Sequence, residues 1–231
     1  MKKLMLLPLA LVLLLASCKG ANPAAGAAPP SNSKTDVSYA FGMAIGKSLA
    51  ATGVEIDDAA FLAGVKDVLA KKNPRFTESN AQAMIQTAIT EVQTKVAAEN
   101  KTKGEEFLAA NGKKDGVKTT ASGLQYQVIK EGSGPRPGAT DTVKVDYIGT
   151  LLDGSTFDSS IERKEPAVFQ VNQVIPGWQE AVQLMTVGSR YKVWIPANLA
   201  YGEQGAGDKV GPNSTLVFEI TLLGIQNAAS K

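Results

Sequence analysis

The stretch "TVKVDYIGTLLDGSTFDSS", residues 142–160, contains the pattern that decides the fold of the second half of the chain. Val143 and Tyr147 lie on the apolar side of an alternation with a period of two, which is typical of a half-buried β-strand. Asp153-Gly154 follows as a turn signal. The stretch therefore predicts a strand, a turn and a returning segment.

The same alternation recurs on either side of this stretch, with Gly- and Pro-rich turn signals between the repeats. Between Pro176 and Met185 lies a single short helical pattern with proline near its start. We therefore predict an α+β module in which an antiparallel sheet wraps on one short helix. The further alternating segments are "LQYQVIK" (124–130), "RYKVWIP" (190–196) and "TLVFEITLLGI" (215–225).

Residues 35–110 have the period of helices instead. Val37, Phe41, Ile45 and Leu49 recur every four residues. A second helix is predicted from about Asp57-Asp58 to "KKNP", and a third runs from the capping residue Thr77 to about Ala110. The sequence thus predicts an all-α N-terminal domain that ends in a long connecting helix and precedes the α+β module.

The long third helix changes character along its length. Its first half carries an apolar seam, whereas "AAENKTKGEE" is polar all round, which is typical of a connector that crosses solvent. Short amphipathic helices bury little surface alone. We expect a homodimer formed through residues 35–100; the alternative is a small helical domain folded back on its own chain.

The first residues resemble a secretory signal, with a basic start, an apolar core and the sequence "LASC" at 15–18. Cys18 is the single cysteine and stands where a bacterial lipoprotein carries its lipid. We therefore expect a lipid-anchored protein of the cell envelope, in the outer membrane and facing the periplasm or the cell surface. The predicted domains are a signal peptide (1–17), a flexible tether (18–34), the helical dimerisation domain (35–110), a hinge loop (111–122) and the α+β domain (123–226).

Composition excludes several kinds of chemistry. The chain contains no histidine, which removes His-based catalysis and His-containing metal sites, and we expect no metal and no cofactor. Without Lys2 and Lys3 the 24 basic residues become 22, equal to the 22 acidic ones, so bulk charge does not favour nucleic-acid binding. The serines of "GSTFDSS" have neither a G-x-S-x-G elbow nor an evident base, which argues against a hydrolase.

Between about Gly123 and Ile225, four blocks of sequence resemble the signature blocks of the FK506-binding-protein (FKBP) family of peptidyl-prolyl isomerases. They occur in the family's order and near its spacing. The helical part, with "SYAFGMAIGKSL", resembles the dimerisation domain of the macrophage-infectivity-potentiator-like (Mip-like) subgroup. The resemblance implies a sheet of five to six strands with an apolar pocket between sheet and helix. The four blocks are "VDYIGTLLDGSTFDSS", "FQVNQVIPGWQEAVQLM", "GSRYKVWIPANLAYGEQG" and "GPNSTLVFEITLLGI".

The resemblance also implies the residues of the pocket. Trp178 forms the floor, Arg163 packs near Asp158, and Arg163 and Val210 form the substrate-binding rim. Ala167 stands where many members have an aromatic residue, so we predict that Phe169 belongs to the core rather than to the pocket. The residues implied for catalysis are Tyr147, Phe157, Asp158, Val174, Ile175, Trp178, Tyr201 and Phe218.

The function that the resemblance implies is peptidyl-prolyl cis-trans isomerisation in unfolded or secreted polypeptides, by an envelope folding factor. Proline-containing chains are then the substrates, and a macrolide of the FK506 or rapamycin kind is a candidate ligand. Asp158 has two open roles, a charge at the pocket edge or a structural partner of Arg163. The alternative function is a non-catalytic chaperone or adhesin that only binds proline-containing segments.

Overall fold

The computed structural model describes residues 31–226. The first part of this range is helical, as the apolar spacing predicts. A division between two compact units falls after Gly46, inside the first helix. The helices are α1 (Lys34–Thr52), α2 (Asp58–Leu69) and α3 (Glu78–Asn111).

The starts of α2 and α3 are fixed by the residues that the sequence indicates. The Asp57 side chain accepts a hydrogen bond from the backbone N–H of Ala60 at 2.8 Å. The Thr77 hydroxyl accepts one from the backbone N–H of Asn80 at 3.2 Å. Each bond satisfies one of the amide groups that have no partner in the first helical turn, so it sets where the helix begins.

The first two helices leave much of their apolar surface uncovered. In the part of the chain that the structure describes, no residue of α1 or α2 is buried. Such side chains are uncovered because a short helix by itself offers nothing for its apolar face to pack on. The large exposed apolar residues of the three helices include Tyr39, Phe41, Met43, Leu62, Val68, Leu69, Met84 and Ile85.

The second half of α3 is not the solvent-crossing connector that its polar sequence suggests, and that prediction is wrong. Gly104 and Asn111 are buried. The Asn111 amide donates to Oε1 of Gln125 at 2.9 Å, and Nε2 of Gln125 donates to the carbonyl of Leu108 at 2.8 Å. A polar helix face can thus pack against a folded module when polar groups there complete its hydrogen bonds.

Within the described range the sheet has seven strands, where five to six were expected, and every pair is antiparallel. One of them, β1, lies inside the predicted hinge loop 111–122, which is therefore not wholly a loop. The strands are β1 (Val117–Thr119), β2 (Gln125–Lys130), β3 (Thr142–Thr150), β4 (Thr156–Ser159), β5 (Ala167–Gln170), β6 (Arg190–Ile195) and β7 (Leu216–Gln226).

The strand order is β1-β2-β6-β7-β3-β4, and β5 also pairs with β3. Two helices interrupt the strands, α4 (Ser160–Arg163) after β4 and α5 (Pro176–Leu184) before β6. α5 carries a proline in its first turn, where the missing N–H costs no helical hydrogen bond. The order brings β3 and β7, which are far apart in sequence, together at the centre of the sheet.

The core lies between the inner face of the sheet and α5. Alternate residues of β3 and β7 are buried, which accounts for the period of two in the sequence. Burial of each such aliphatic or aromatic side chain stabilises the fold by roughly 1.5–3 kcal/mol. The core includes Val143, Val145, Trp178, Val182, Met185, Val193, Ile195, Leu216, Phe218, Ile220 and Leu222.

The architecture confirms the predicted fold class, a helical N-terminal region followed by an antiparallel sheet on a short helix. Within residues 31–226 no helix is both long enough and apolar enough to span a membrane. The predictions for the signal peptide 1–17, for Cys18 and for most of the tether 18–34 lie outside the described residues.

Candidate active site

A cavity of about 320 Å³ opens beside α5, over the inner face of the sheet. All eight residues predicted for catalysis line it, and they come from six separate segments of the chain. The lining consists of Tyr147 (β3), Phe157 and Asp158 (β4), Phe169 (β5), Gln173, Val174 and Ile175 (before α5), Trp178 (α5), Tyr201 (between β6 and β7) and Phe218 (β7).

Trp178 forms the floor and is 3% exposed. Three aromatic rings meet it edge to face: Tyr147 at a centroid distance of 5.2 Å, Phe218 at 5.2 Å and Phe169 at 5.6 Å. Edge-to-face contacts hold aromatic rings in defined orientations, because the positive edge of one ring meets the negative face of the other. The floor is therefore a rigid apolar surface.

Phe169 lines the cavity, so the prediction that it belongs only to the core is wrong. Within β5, Ala167 and Phe169 are half-buried, whereas Val168 and Gln170 are exposed, so the strand turns Phe169 inward. Its ring is 6.0 Å from that of Tyr147. Gln173 is a second lining residue that the sequence did not indicate, and it adds a polar amide to the wall.

Phe157 forms part of the cavity wall, and Gly149 makes room for it. The Phe157 ring meets Phe218 edge to face at 5.5 Å. A Cβ atom at Gly149 would lie 2.7 Å from the Phe218 ring and 2.8 Å from the Phe157 ring. A glycine within a strand often marks a close approach, which is the signal that could have identified this position.

One edge of the cavity is polar. Asp158 accepts hydrogen bonds from the Tyr147 hydroxyl and from Arg163 Nη1. Arg163 Nη2 also donates to the Tyr147 hydroxyl at 3.0 Å, and the guanidinium lies over the Tyr147 ring at 5.6 Å from its centroid. Arg163 thus reaches two lining residues, and the three side chains form a closed triangle.

The triangle changes the acid–base properties of its members. Partial burial by itself would raise the pKa of Asp158, but hydrogen bonds from Tyr147 and Arg163 and the positive charge of Arg163 outweigh it, so the pKa lies below its ordinary 3.8. Burial, and then the hydrogen bond to Asp158, raise the pKa of Tyr147 above 10.0. At neutral pH the carboxylate stays ionised and the phenol stays neutral.

Tyr201 stands at the rim and is 40% exposed. Burial and, after it, the charge of Asp158 raise the pKa of Tyr201 above 10.0, so its hydroxyl remains a hydrogen-bond donor. Val210 does not line the main cavity. It is buried and lines a neighbouring hollow of about 390 Å³, whose wall also includes Phe157, Asp158 and Tyr201.

The serines beside Asp158 have structural partners. Ser159 caps α4 by accepting from the N–H of Glu162 at 3.1 Å. The Ser160 hydroxyl accepts from the N–H of Tyr147 at 2.9 Å and donates to Asp146 at 3.0 Å. Since both hydroxyls are buried and engaged, they hold β3, β4 and α4 together and do not face the cavity as nucleophiles.

Comparison with known proteins agrees with this geometry. Residues 134–223 match the family described as FKBP-type peptidyl-prolyl cis-trans isomerase, and residues 34–128 match the domain described as amino terminal to it. The chain is 49% identical, over 83% of its length and 76% of the relative's, to the FKBP-type peptidyl-prolyl cis-trans isomerase FkpA of Aeromonas hydrophila. It is 41% identical, over 85% of its length and 87% of the relative's, to the outer membrane protein MIP of Legionella longbeachae.

A solved structure is similar over most of the chain. The crystal structure of FkpA from Escherichia coli matches with a TM-score of 0.67 and 36% sequence identity, over 85% of this chain and 99% of that one. The family matches cover both the helical region and the α+β region, and the relatives are similar over most of the chain. The chain belongs to the family of FKBP-type peptidyl-prolyl cis-trans isomerases.

Proposed function

We propose that the aromatic cavity on Trp178 is where this isomerase rotates the X–Pro bond of its substrates. The observation that carries the proposal is the edge-to-face set of rings, which encloses a space of about 320 Å³ with one polar edge. A flat apolar ring such as that of proline fits a floor and walls of this kind. This fit supports the cavity as the place of catalysis in the chain.

The chemistry of the reaction suits these residues. Rotation about an X–Pro bond meets a barrier of about 18–20 kcal/mol, because the planar amide has partial double-bond character. No covalent bond breaks and no proton must move, so the reaction requires no histidine. The twisted amide is less dipolar than the planar one, and an apolar cavity therefore favours the transition state relative to water.

Specific roles follow for the lining residues. Trp178, Phe157 and Phe218 hold the proline ring, while the carbonyl of the preceding residue turns. Tyr201 is partly exposed and its hydroxyl remains protonated, so the hydroxyl donates to a peptide carbonyl of the substrate at the rim. Every 1.4 kcal/mol of preferential stabilisation of the twisted state raises the rate about tenfold.

Asp158 acts as a fixed charge in this proposal. Its lowered pKa and its two donors, Tyr147 and Arg163, oppose a role as a general base. A carboxylate held in this way contributes a constant field at the polar edge and keeps the Tyr147 ring in place. The structural role and the electrostatic role of Asp158 then both result from its contacts with Tyr147 and Arg163.

The test is an assay of a chromogenic Xaa-Pro peptide with the full chain and with Phe157→Ala. Phe157 forms a wall without being in the fully buried core, so the variant is expected to fold and to lose at least tenfold in kcat/KM. Phe76→Ala is a matched control, since Phe76 is 50% exposed and lies between α2 and α3. Equal activity of the two variants would place the reaction elsewhere.

We propose further that two copies associate through residues 35–100. Support comes from the large apolar residues that α1, α2 and the start of α3 leave exposed, among them Phe41, Leu69 and Ile85. Two pockets in one dimer would engage one unfolded polypeptide bivalently. Sedimentation tests this: residues 19–231 are expected to be dimeric and residues 123–231 monomeric.

We also propose that Cys18 is lipidated and that the chain is anchored in the envelope, facing the periplasm or the cell surface. The signal-like start of the sequence supports this, as does a relative that is named an outer membrane protein. Mass spectrometry of the mature N-terminus from a bacterial host tests it. An unprocessed N-terminus, or an unmodified Cys18, would refute the anchor.

A macrolide of the FK506 or rapamycin kind is the proposed inhibitor of the same cavity. The apolar floor and the Tyr201 hydroxyl at the rim provide the contacts that such a ligand needs. Competitive inhibition of the peptide assay, lost together with activity in Phe157→Ala, is the expected result. Inhibition that leaves KM unchanged would place the ligand at another site.

A further inference from the structure

One side of the pocket depends on a loop, residues 202–214, which we call the rim segment. It begins directly after Tyr201 and ends before β7. The backbone N–H of Ala206 donates to the carbonyl of Val210 at 2.8 Å, and the N–H of Asn213 donates to the carbonyl of Gly202 at 2.8 Å. The second bond ties the end of the rim segment to the residue that follows Tyr201.

Helix α3 holds the same end of the rim segment. Asn100 Nδ2 donates to the carbonyl of Pro212 at 2.9 Å and lies 3.4 Å from the Ser214 hydroxyl. In the opposite direction, Asn213 Nδ2 donates to the carbonyl of Ala97 at 3.4 Å. Asn100 is half-buried, so these bonds are partly shielded from competing water.

These contacts form a series of hydrogen bonds that starts on α3 and ends at the pocket. Asn100 holds Pro212, the next residue Asn213 holds Gly202, and Gly202 adjoins Tyr201. Tyr201 and Val210 both line the hollow beside the main cavity. A surface loop samples many conformations unless its backbone is held, so the position of Tyr201 depends on what fixes the rim segment.

Asn213, in the rim segment, provides a second connection to α3. Its backbone has φ +55°, a left-handed conformation that asparagine tolerates better than most residues. That conformation places its N–H toward Gly202 while its side chain reaches Ala97. One residue thus connects the helix with the pocket rim.

We propose that Asn100 is a positioning residue for the isomerase pocket: it fixes the rim segment through Pro212 and Asn213, and thereby sets the affinity for the polypeptide at Tyr201. The inference rests on the proposed location of catalysis in this cavity. It assigns to α3 a role in substrate binding that is separate from dimerisation.

The experiment uses the full chain with two substitutions, Asn100→Ala and Asn100→Asp. Asparagine and aspartate have nearly the same shape, but aspartate has no N–H to donate. A packing role predicts normal behaviour of Asn100→Asp, whereas a donor role predicts the same defect in both variants. Asn80→Ala and Asn80→Asp are the controls, since Asn80 is exposed at the start of the same helix.

We expect KM for an Xaa-Pro peptide to rise about fivefold in both Asn100 variants, the factor that one net hydrogen bond supports, with kcat within about twofold of the wild type. We also expect amide hydrogen exchange of residues 202–214 to accelerate about tenfold. Both Asn80 variants are expected to match the wild type. Asn213→Gly keeps the left-handed backbone but removes the side-chain bond to Ala97, so it should give a smaller change in the same direction.

Unchanged KM and unchanged exchange in folded Asn100 variants would overturn the inference, as would a normal Asn100→Asp beside a defective Asn100→Ala. If Asn100→Ala fails to fold, Asn213→Gly and Asn100→Asp decide the question. The proposed site has a separate outcome: it fails if Phe157→Ala retains activity, whatever the Asn100 variants do.

Discussion

The rings of Trp178 and Phe218 meet at 90°, with their centroids 5.2 Å apart, and both border the cavity. One ring comes from α5 and the other from β7, so this contact joins helix and sheet at the place where substrate is proposed to bind. Stability and activity are therefore coupled at these two residues.

Phe218→Leu should lower kcat/KM by at least tenfold and the free energy of unfolding by about 1–2 kcal/mol, because leucine retains much of the volume but offers no ring edge to Trp178 and Phe157. The measurements are the peptide assay and urea unfolding. Phe107→Leu on α3 is the control, since Phe107 is half-buried and does not line the cavity. Equal loss of activity in both variants would show that only global stability matters.

Gly149→Ala should displace both Phe157 and Phe218, because the new Cβ would lie 2.8 Å from the Phe157 ring and 2.7 Å from the Phe218 ring. We expect a loss of about 1–3 kcal/mol in the free energy of unfolding and a loss of activity of tenfold or more. Gly224→Ala is matched to it: Gly224 is also in the sheet, on β7, and its added Cβ would meet nothing within 4 Å. Normal activity of Gly149→Ala would contradict the proposed role of the Phe157 wall.

The pH dependence of stability should report on Asp158. Because the pKa of this carboxylate is lower in the folded chain than its ordinary 3.8, ionisation stabilises the fold above about that pH, and the effect is lost as the pH falls through the folded-state pKa. Asp158→Asn should therefore have a lower free energy of unfolding than the wild type at neutral pH. The difference should be about 1 kcal/mol or less, because the side chains of Asp158 and Arg163 are both about half exposed. It should vanish in acid.

Activity should behave differently from stability as the pH changes. The cavity has no histidine, the pKa of Asp158 is lowered, and the pKa values of Tyr147 and Tyr201 are raised above 10.0, so kcat/KM should be flat between about pH 5 and pH 9. A bell-shaped profile in this interval would mean that a general acid or base takes part.

Gly104→Ala should destabilise the chain although alanine is the better helix former. In an exposed helix this change stabilises by about 1 kcal/mol, but here the new Cβ would lie 2.5 Å from Oγ1 of Thr215, which is buried. Gly64→Ala in α2, where the Cβ would meet nothing within 4 Å, should stabilise instead. The sign of the change in unfolding free energy distinguishes a packed α3 from a free one; stabilisation by Gly104→Ala would contradict the packing.

Most of the fold follows from local patterns in the sequence. The four-residue spacing predicts α1, the capping residues Asp57 and Thr77 locate the starts of the next two helices, and alternation predicts the long strands. These features depend on neighbours in the sequence. β1 has no such local signal, because its three residues in a Gly-containing polar segment become a strand only through pairing with β2.

The site was predictable as a set of residues, but its geometry was not. The resemblance between sequence blocks brought the eight residues together, whereas the pairing of Asp158 with the Tyr147 hydroxyl depends on the register between β3 and β4. The prediction for Phe169 fails because it rests on Ala167, whereas the alternation along β5 decides which side of the strand faces the cavity. Asn100 gave no signal at all, since its partner Pro212 is 112 residues away.

The spacing of the contacts along α3 has a mechanical consequence. Asn100, Gly104 and Asn111 are separated by steps of four and seven residues, which places them along one stripe of the helix and fixes its rotation about its own axis. Inserting one residue before Asn100 would turn the exposed Met84 and Ile85 by about 100° relative to the sheet, whereas seven residues would restore their phase to within about 20°. The helix can therefore be lengthened with little rotation of its far end only by certain numbers of residues, of which seven is the smallest.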